Sequence, residues 1–253
     1  MKIIGLIGGL SWESTAEYYR IINETVRKKL GGLHSAKVVM VSVDFAEIER
    51  MQVESRWDDA GEELSRAARQ LEAAGAEIIL ICSNTMHKVA DAIEAATNIP
   101  LLHIADATAV EIPIPTIRML PQAPEEDGII ATCHGMSPQR TVGLLGTAFT
   151  MEQPFYRERL EKFGQAVLVP EAEDRAIVHR IIYEELCLGI VREDSRAEYH
   201  RIMRDLVARG AHGIVLGCTE IELLIDPDDG SIAPLFPTTR IHAEAAVDWA
   251  LRS

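Results

Sequence analysis

The chain is predicted to be an α/β protein of two pseudo-symmetric Rossmann-like (βα) domains, each with a parallel sheet and with the active site in the cleft between them. Three observations predict it. Short apolar runs alternate with stretches of helical spacing; each run ends in glycine or small polar residues; and the second half of the chain repeats the first. Within a composition that is 47% hydrophobic only 5% is aromatic, which favours aliphatic helices packed on sheets over an aromatic-rich sandwich. A length of 253 residues suffices for two small cores.

Residues 3–7 form the first apolar run, which meets Gly8 and Gly9. Helical spacing follows over 14–29, with Ile21, Ile22 and Val26 on one face. Residues 38–43 read as a second strand and 44–51 as a loop. An amphipathic helix over 58–74 is stopped by Gly75, and 76–82 is the third strand. The βαβαβ order makes the sheet parallel. After Ser83-Asn-Thr-Met-His87 a helix spans 88–96 until Pro100 breaks the pattern, and 101–104 reads as a fourth strand. Residues 111–139 lose periodicity and gain Pro113, Pro115, Pro121, Pro124 and Pro138, the mark of an inserted loop or interdomain excursion.

Order returns at 141–147, again an apolar run meeting glycine. Helices are expected over 153–163, 174–189, 197–208 and 243–251, and strands over 166–169 and 211–217, the last delivering Cys218-Thr-Glu220. The halves align. Gly5-Leu-Ile-Gly8 matches Gly143-Leu-Leu-Gly146, and 71–83 matches 206–218 without a gap. The second alignment puts Ser83 on Cys218, Asn84 on Thr219 and Thr85 on Glu220. The expected division is 1–108 with 240–253 against 109–239, the latter opening with the Pro-rich stretch.

A net charge of −14 argues against nucleic acid or an anionic membrane as partner. Cys82, Cys133, Cys187 and Cys218 show neither CxxC nor zinc spacing, so no metal is expected. No apolar run approaches the roughly 18 residues of a membrane span, and the first residues lack the pattern of a signal peptide. A reducing cytoplasm, where Cys218 stays a thiol, is the expected setting.

Two groups facing each other across a small molecule suit inversion at a carbon, one removing a proton while the other donates from the opposite face. A thiol is a serviceable member of such a pair, since its pKa of about 8.5 yields to modest help. Strand-end amides and the hydroxyls of Thr85 and Thr219 are donors for a carboxylate and its enolate-like intermediate. No cofactor is then required. Gly8 and Gly9 do not make GxGxxG, and nothing beside Lys88 suggests pyridoxal phosphate. His87 could bond locally or orient the site, His242 reads as a packing residue of an interdomain helix, and Cys82, Cys133 and Cys187 as structural or incidental.

Cys82-Ser-Asn-Thr-Met-His87, Gly217-Cys-Thr-Glu220 and Gly5-Leu-Ile-Gly-Gly-Leu-Ser-Trp-Glu-Ser-Thr15 together resemble the cofactor-independent aspartate/glutamate racemase family over nearly the whole chain outside 111–139. Residues 81–93, 103–108, 150–153 and 241–245 are most similar to its bacterial broad-range or L-aspartate/glutamate-specific members. The resemblance implies an amino-acid substrate, Cys218 as strong base attacking the L-isomer with Ser83 opposite, and a homodimer. It also places Leu10, Gln52, Ser83, Asn84, Thr85, Thr219 and Glu220 at the amino acid, Glu220 on its ammonium.

The chain departs from the family pattern twice. Ser83 stands where cysteine usually precedes Asn-Thr, and Arg175, Ala176 and Ile177 stand near the place of a lysine found in many aspartate racemases, leaving Arg175 or Arg180 as the only guesses for a side-chain clamp. Two rival readings stay open: a related single-cysteine decarboxylase or cis-trans isomerase, and a catalytically weak amino-acid-binding protein.

Overall fold

A computed structural model describes residues 1–113 and 140–252. The Pro-rich stretch from 114 onward, with Cys133, lies outside the described residues. The first half runs β1 (Ile4–Gly8), α1 (Trp12–Leu30), β2 (Val38–Ser42), α2 (Phe45–Val53), α3 (Trp57–Ala73), β3 (Ile78–Ile81), a 3₁₀ turn (Thr85–Val89), α4 (Ala90–Ala96) and α5 (Ile104–Glu111). The second runs β4 (Arg140–Gly146), α6 (Ala148–Glu152), α7 (Pro154–Lys162), β5 (Gln165–Leu168), α8 (Ala172–Glu184), a 3₁₀ turn (Leu186–Leu188), α9 (Glu193–Ala208), β6 (Ile214–Gly217), α10 (Ile221–Leu224), β7 (Leu235–Pro237) and α11 (Thr238–Leu251).

Two parallel sheets result, ordered β2-β1-β3 and β5-β4-β6-β7. The fold is the expected α/β arrangement of two matching halves. Strands β1, β3 and β6 are buried at every position, as continuous apolar runs covered on both faces must be. Alternation along the strands splits each sheet into two cores. Ile7, Ile79 and Ile81 face Leu64, Ala68 and Leu71 of α3. Ile4, Leu6, Ile78, Leu80 and Cys82 face α1 and α11. In the second sheet Leu145, Ile214 and Leu216 face α8 and α9, while Val142, Leu144 and Val215 face α7 and α5.

The cores thus exchange helices. α5 follows the first sheet yet buries Ile104, Ala105 and Ala109 against the second. α11 follows the second sheet yet buries Ala243, Ala246, Val247 and Ala250 against the first.

Two local expectations need correction, and a third element was not expected. Residues 44–51 are mostly helix: Asp44 caps α2 by accepting from the Ala46 amide at 3.1 Å, and Ile48 and Gln52 are buried beneath it. The fourth strand shrinks to one bridge, Ile79 with Leu101, because His103 caps α5 and turns the chain into helix at Ile104. Its counterpart β7, of three residues ending in Pro237, gave no periodic signal. Proline is tolerated there because β7 is the edge strand.

Candidate active site

All strands of a parallel sheet point the same way, so their carboxyl ends gather the loops that carry chemistry. At β1 the chain turns through Gly9, whose φ is +77°; a Cβ there would meet the Val43 carbonyl oxygen at 2.1 Å, so only glycine fits. Past Gly9, Leu10 reaches the crevice. β3 ends in Cys82 and Ser83, which alternation sends to opposite faces: Cys82 packs with Ile4 and Leu6, and Ser83 opens to the crevice. β6 ends in Cys218, Thr219 and Glu220.

A narrow crevice of about 20 Å³ lies between the halves, and every predicted residue lines it: Leu10, Gln52, Ser83, Asn84 and Thr85 from the first, Cys218, Thr219 and Glu220 from the second. Five more residues line it that sequence reasoning did not assign to the site: Phe45, Thr147, Ile182, Tyr183 and Cys187. Thr147 was within reach of the repeat, since it falls on Gly9 when Gly143–Gly146 is laid on Gly5–Gly8. Cys187 was set aside as incidental and instead forms part of the wall. Phe45 and Tyr183 carried no signal, because a position on a helix says nothing of what faces it across the cleft.

Glu220 is the centre of charge. It is 5% exposed and accepts from three side chains: Ser11 Oγ at 2.6 Å, Thr219 Oγ1 at 2.6 Å and the Cys218 thiol at 3.0 Å. Burial pushes the Cys218 thiol well above its ordinary pKa, and the neighbouring Glu220 carboxylate pushes it further. In the free protein Cys218 is therefore a thiol at neutral pH. Burial likewise holds Cys187 and Tyr183 protonated.

The opposite wall holds no charge. Ser83 Oγ accepts from the Met86 amide at 3.4 Å, at the start of the 3₁₀ turn. Thr85 shares hydroxyl contacts with Thr147 at 2.9 Å and Thr150 at 3.3 Å, joining the halves. The Thr238 hydroxyl gives its proton to the Leu216 carbonyl at 2.8 Å, so it accepts from Asn84 Nδ2 at 3.0 Å; this leaves Asn84 Oδ1 buried without a partner. The Tyr183 hydroxyl donates to Gln52 Oε1 at 3.0 Å, a second tie across the crevice.

Behind Ser83 sits a cluster of neutral histidines. His87 Nδ1 donates to the Ser83 carbonyl at 2.7 Å, and its Nε2 accepts from the Ile104 amide at 3.2 Å. His242 Nε2 donates to the Leu102 carbonyl at 2.8 Å while its Nδ1 accepts from the Tyr18 hydroxyl at 2.7 Å. Burial pushes His87 down to about 3 and His242 down to about 4, and it also depresses His103, whose ring lies 4.5 Å from that of His87. Both roles weighed for His87, local bonding and support of the site, meet in this geometry.

Arg175 is held by Glu152 at 2.9 Å and the Pro170 carbonyl at 2.8 Å, Arg180 faces Glu184 and Glu185, and neither lines the crevice. Among the described residues no group of His, Cys, Asp and Glu is placed to hold a metal ion, and no helix is long and apolar enough to cross a membrane.

The sequence profile described as Asp/Glu/Hydantoin racemase matches residues 7–114 and 126–246. The chain belongs to the Asp/Glu/hydantoin racemase family. Family members of known structure share its fold over the full length. A crystal structure from Yersinia pestis, described as that of a candidate Asp/Glu racemase, is 54% identical, covers 100% of both chains and superposes with a TM-score of 0.83. An aspartate racemase homologue from Pyrococcus horikoshii OT3 is 33% identical over 100% of both chains, with a TM-score of 0.77. The broad specificity amino-acid racemase RacX of Bacillus subtilis (strain 168) is 22% identical over 75% of this chain and 72% of its own length. Membership in this racemase family makes the chain an enzyme of the isomerase class, and the crevice is where its chemistry is to be sought.

Proposed function

We propose that the protein is a cofactor-independent amino-acid racemase or epimerase that inverts Cα by two-base proton transfer, with Cys218 and Ser83 as the acid/base residues. One observation carries the reading. Ser83 and Cys218 occupy the same position of a repeated strand-end turn and open into one crevice from its two halves. The division into 1–108 with 240–253 and 109–239 belongs to this proposal.

The free site holds its base protonated, and the substrate completes it. A bound amino acid places its ammonium on Glu220 and the free Asn84 Oδ1, which offsets the charge that raises the Cys218 pKa. The α-carboxylate meets the strand-end amides and the hydroxyls of Thr85, Thr147 and Thr219. Starting from the L-isomer, Cys218 releases its thiol proton to solvent as the substrate binds, and the resulting thiolate takes the Cα proton and becomes a thiol again. Ser83 then gives its hydroxyl proton to the other face and is left as an alkoxide, which reprotonates from solvent. A serine is the poorer acid and base of the pair, so inversion is slower than abstraction by Cys218.

No Lys, Arg or His stands among the described residues that line the crevice, whereas Leu10, Phe45 and Ile182 do. A second carboxylate buried there without a cation would cost several kcal/mol, which supports a broad range including uncharged side chains over strict aspartate or glutamate specificity. Cys82, Cys187 and Cys218 are free thiols, which suits a reducing cytoplasm, and a homodimer follows the family resemblance.

The asymmetry of the pair favours one further reading, a single-cysteine decarboxylase or cis-trans isomerase. A panel of L-aspartate, L-glutamate, L-alanine and L-methionine in deuterated water separates the two. The racemase incorporates deuterium at Cα and forms the D-isomer, fastest with an uncharged side chain. Carbon dioxide release, or a product formed without Cα exchange, sinks the racemase reading, and binding without exchange marks a binding protein.

A further inference from the structure

The repeat that relates Ser83 to Cys218 extends to residues that never touch the crevice. At the same offset along the chain, Glu222 falls on His87 and Thr239 falls on Ile104. The contacts match: the Ile104 amide donates to His87 Nε2 at 3.2 Å, and the Thr239 amide donates to Glu222 Oε1 at 3.3 Å. Ile104 is the first residue of α5 and Thr239 the second of α11, within the first turn, where the amides of a helix lack partners of their own. These are the two exchanged helices, each packed on the sheet of the other half.

We propose that His87 and Glu222 are a matched pair of positioning residues, each four positions past the acid/base residue of its half, that pin the turn carrying Ser83 or Cys218 to the helix crossing into the other half. Side-chain ties already cross between the halves, Thr85 to Thr147, Asn84 to Thr238 and Ser11 to Glu220; this device adds to each turn an anchor on the backbone of a crossing helix. On the first side the link is short: His87 also donates to the Ser83 carbonyl. On the second it passes through α10, whose Ile221 amide donates to the Cys218 carbonyl at 3.2 Å. Unlike residues do the same task because a neutral imidazole nitrogen and a carboxylate oxygen are both acceptors. The charged and titratable neighbours of Glu222 are Arg240 on α11 and Glu17 and Tyr18 on α1.

This inference rests on the racemase reading for its kinetic arm only. Glu222→Leu and His87→Leu remove the acceptors, and Glu222→Gln and His87→Gln return one. Displacement of an acid/base group by a fraction of an ångström predicts a kcat about tenfold lower in each leucine variant, with KM within about twofold, and recovery to within about twofold in the glutamine variants. The rate of Cys218 alkylation by iodoacetamide, read by peptide mass spectrometry, needs no turnover. It should rise about fivefold in Glu222→Leu and stay unchanged in His87→Leu, which loosens the other turn. An unchanged kcat in the leucine variants, equal losses with leucine and glutamine, or alkylation rising alike in both leucine variants would overturn the proposal. A wild type that exchanges no amino acid overturns the racemase reading instead, and alkylation alone then decides the positioning role.

Discussion

At the end of β3 the crevice receives Ser83, Asn84 and Thr85, whereas at the end of β6 it receives Cys218, Thr219 and Glu220. The two turns share backbone course, strand register and place in the repeat. Their chemistry differs by one thiol and one carboxylate. The carboxylate gathers three donors and keeps the thiol protonated; the other turn has only neutral hydroxyls and an amide. Under the proposed mechanism, symmetry of the backbone supplies two-sided access to one carbon, and asymmetry of the side chains makes one side the stronger base.

The largest effect should come from the charged side. Cys218→Ala is expected to lower both racemisation and Cα exchange on the order of 10³-fold, and exchange that survives would end the assignment. On the neutral side, Ser83→Ala should lower inversion about 10²-fold while deuterium still enters the recovered L-isomer, because Cys218 continues to work alone. Ser83→Cys makes the turns alike and should raise kcat/KM about tenfold. Enantiomers have equal free energy, so that ratio rises equally in both directions, and the asymmetry shows in one-sided exchange. A Ser83→Ala enzyme that inverts at the wild-type rate would remove Ser83 from the pair.

The smallest effect concerns stability, and it too sets the halves against each other. His87, His103 and His242 stay neutral when folded, so below their unfolded pKa of about 6.5 the unfolded chain binds three more protons than the folded one, and stability falls as pH falls. Glu222 is pushed up to about 7 by burial. It keeps a proton in the folded state that the unfolded chain releases above about pH 4.5, and so works in the opposite sense. For these four groups the balance of two protons predicts a loss of about 2.5 kcal/mol between pH 6 and pH 5, and His179, also lowered by burial, acts in the same sense as the other histidines. Urea titrations at the two pH values check it, and Glu222→Gln should steepen the loss to about 4 kcal/mol. A flat profile would contradict the neutral histidine cluster.

Much of this was legible beforehand because its signals are local. Buried strands read as unbroken aliphatic runs, Gly9 marked a turn only glycine makes, and a gapless repeat paired Ser83 with Cys218. What escaped was short or remote. The nine residues of α2 make too few turns for a period to show. The shrinking of the expected fourth strand to one bridge at Leu101, and the existence of β7, each depend on pairing with a neighbour, Ile79 or Ile214 to Leu216, that lies far off in sequence.

By itself, then, the sequence determined the class of fold, the two strand-end turns that meet at the crevice and the residue types at their tips, since alternation and glycine geometry act over a few residues. Only the tertiary structure decided that Glu220 lies within hydrogen-bonding distance of both Cys218 and the sequence-distant Ser11, and that burial, with Glu220 beside it, holds the thiol protonated. Only it showed that α5 and α11 change places and that Cys187 belongs to the crevice wall. Contacts across a domain interface depend on how two separately patterned halves dock, and no local period along the chain encodes that.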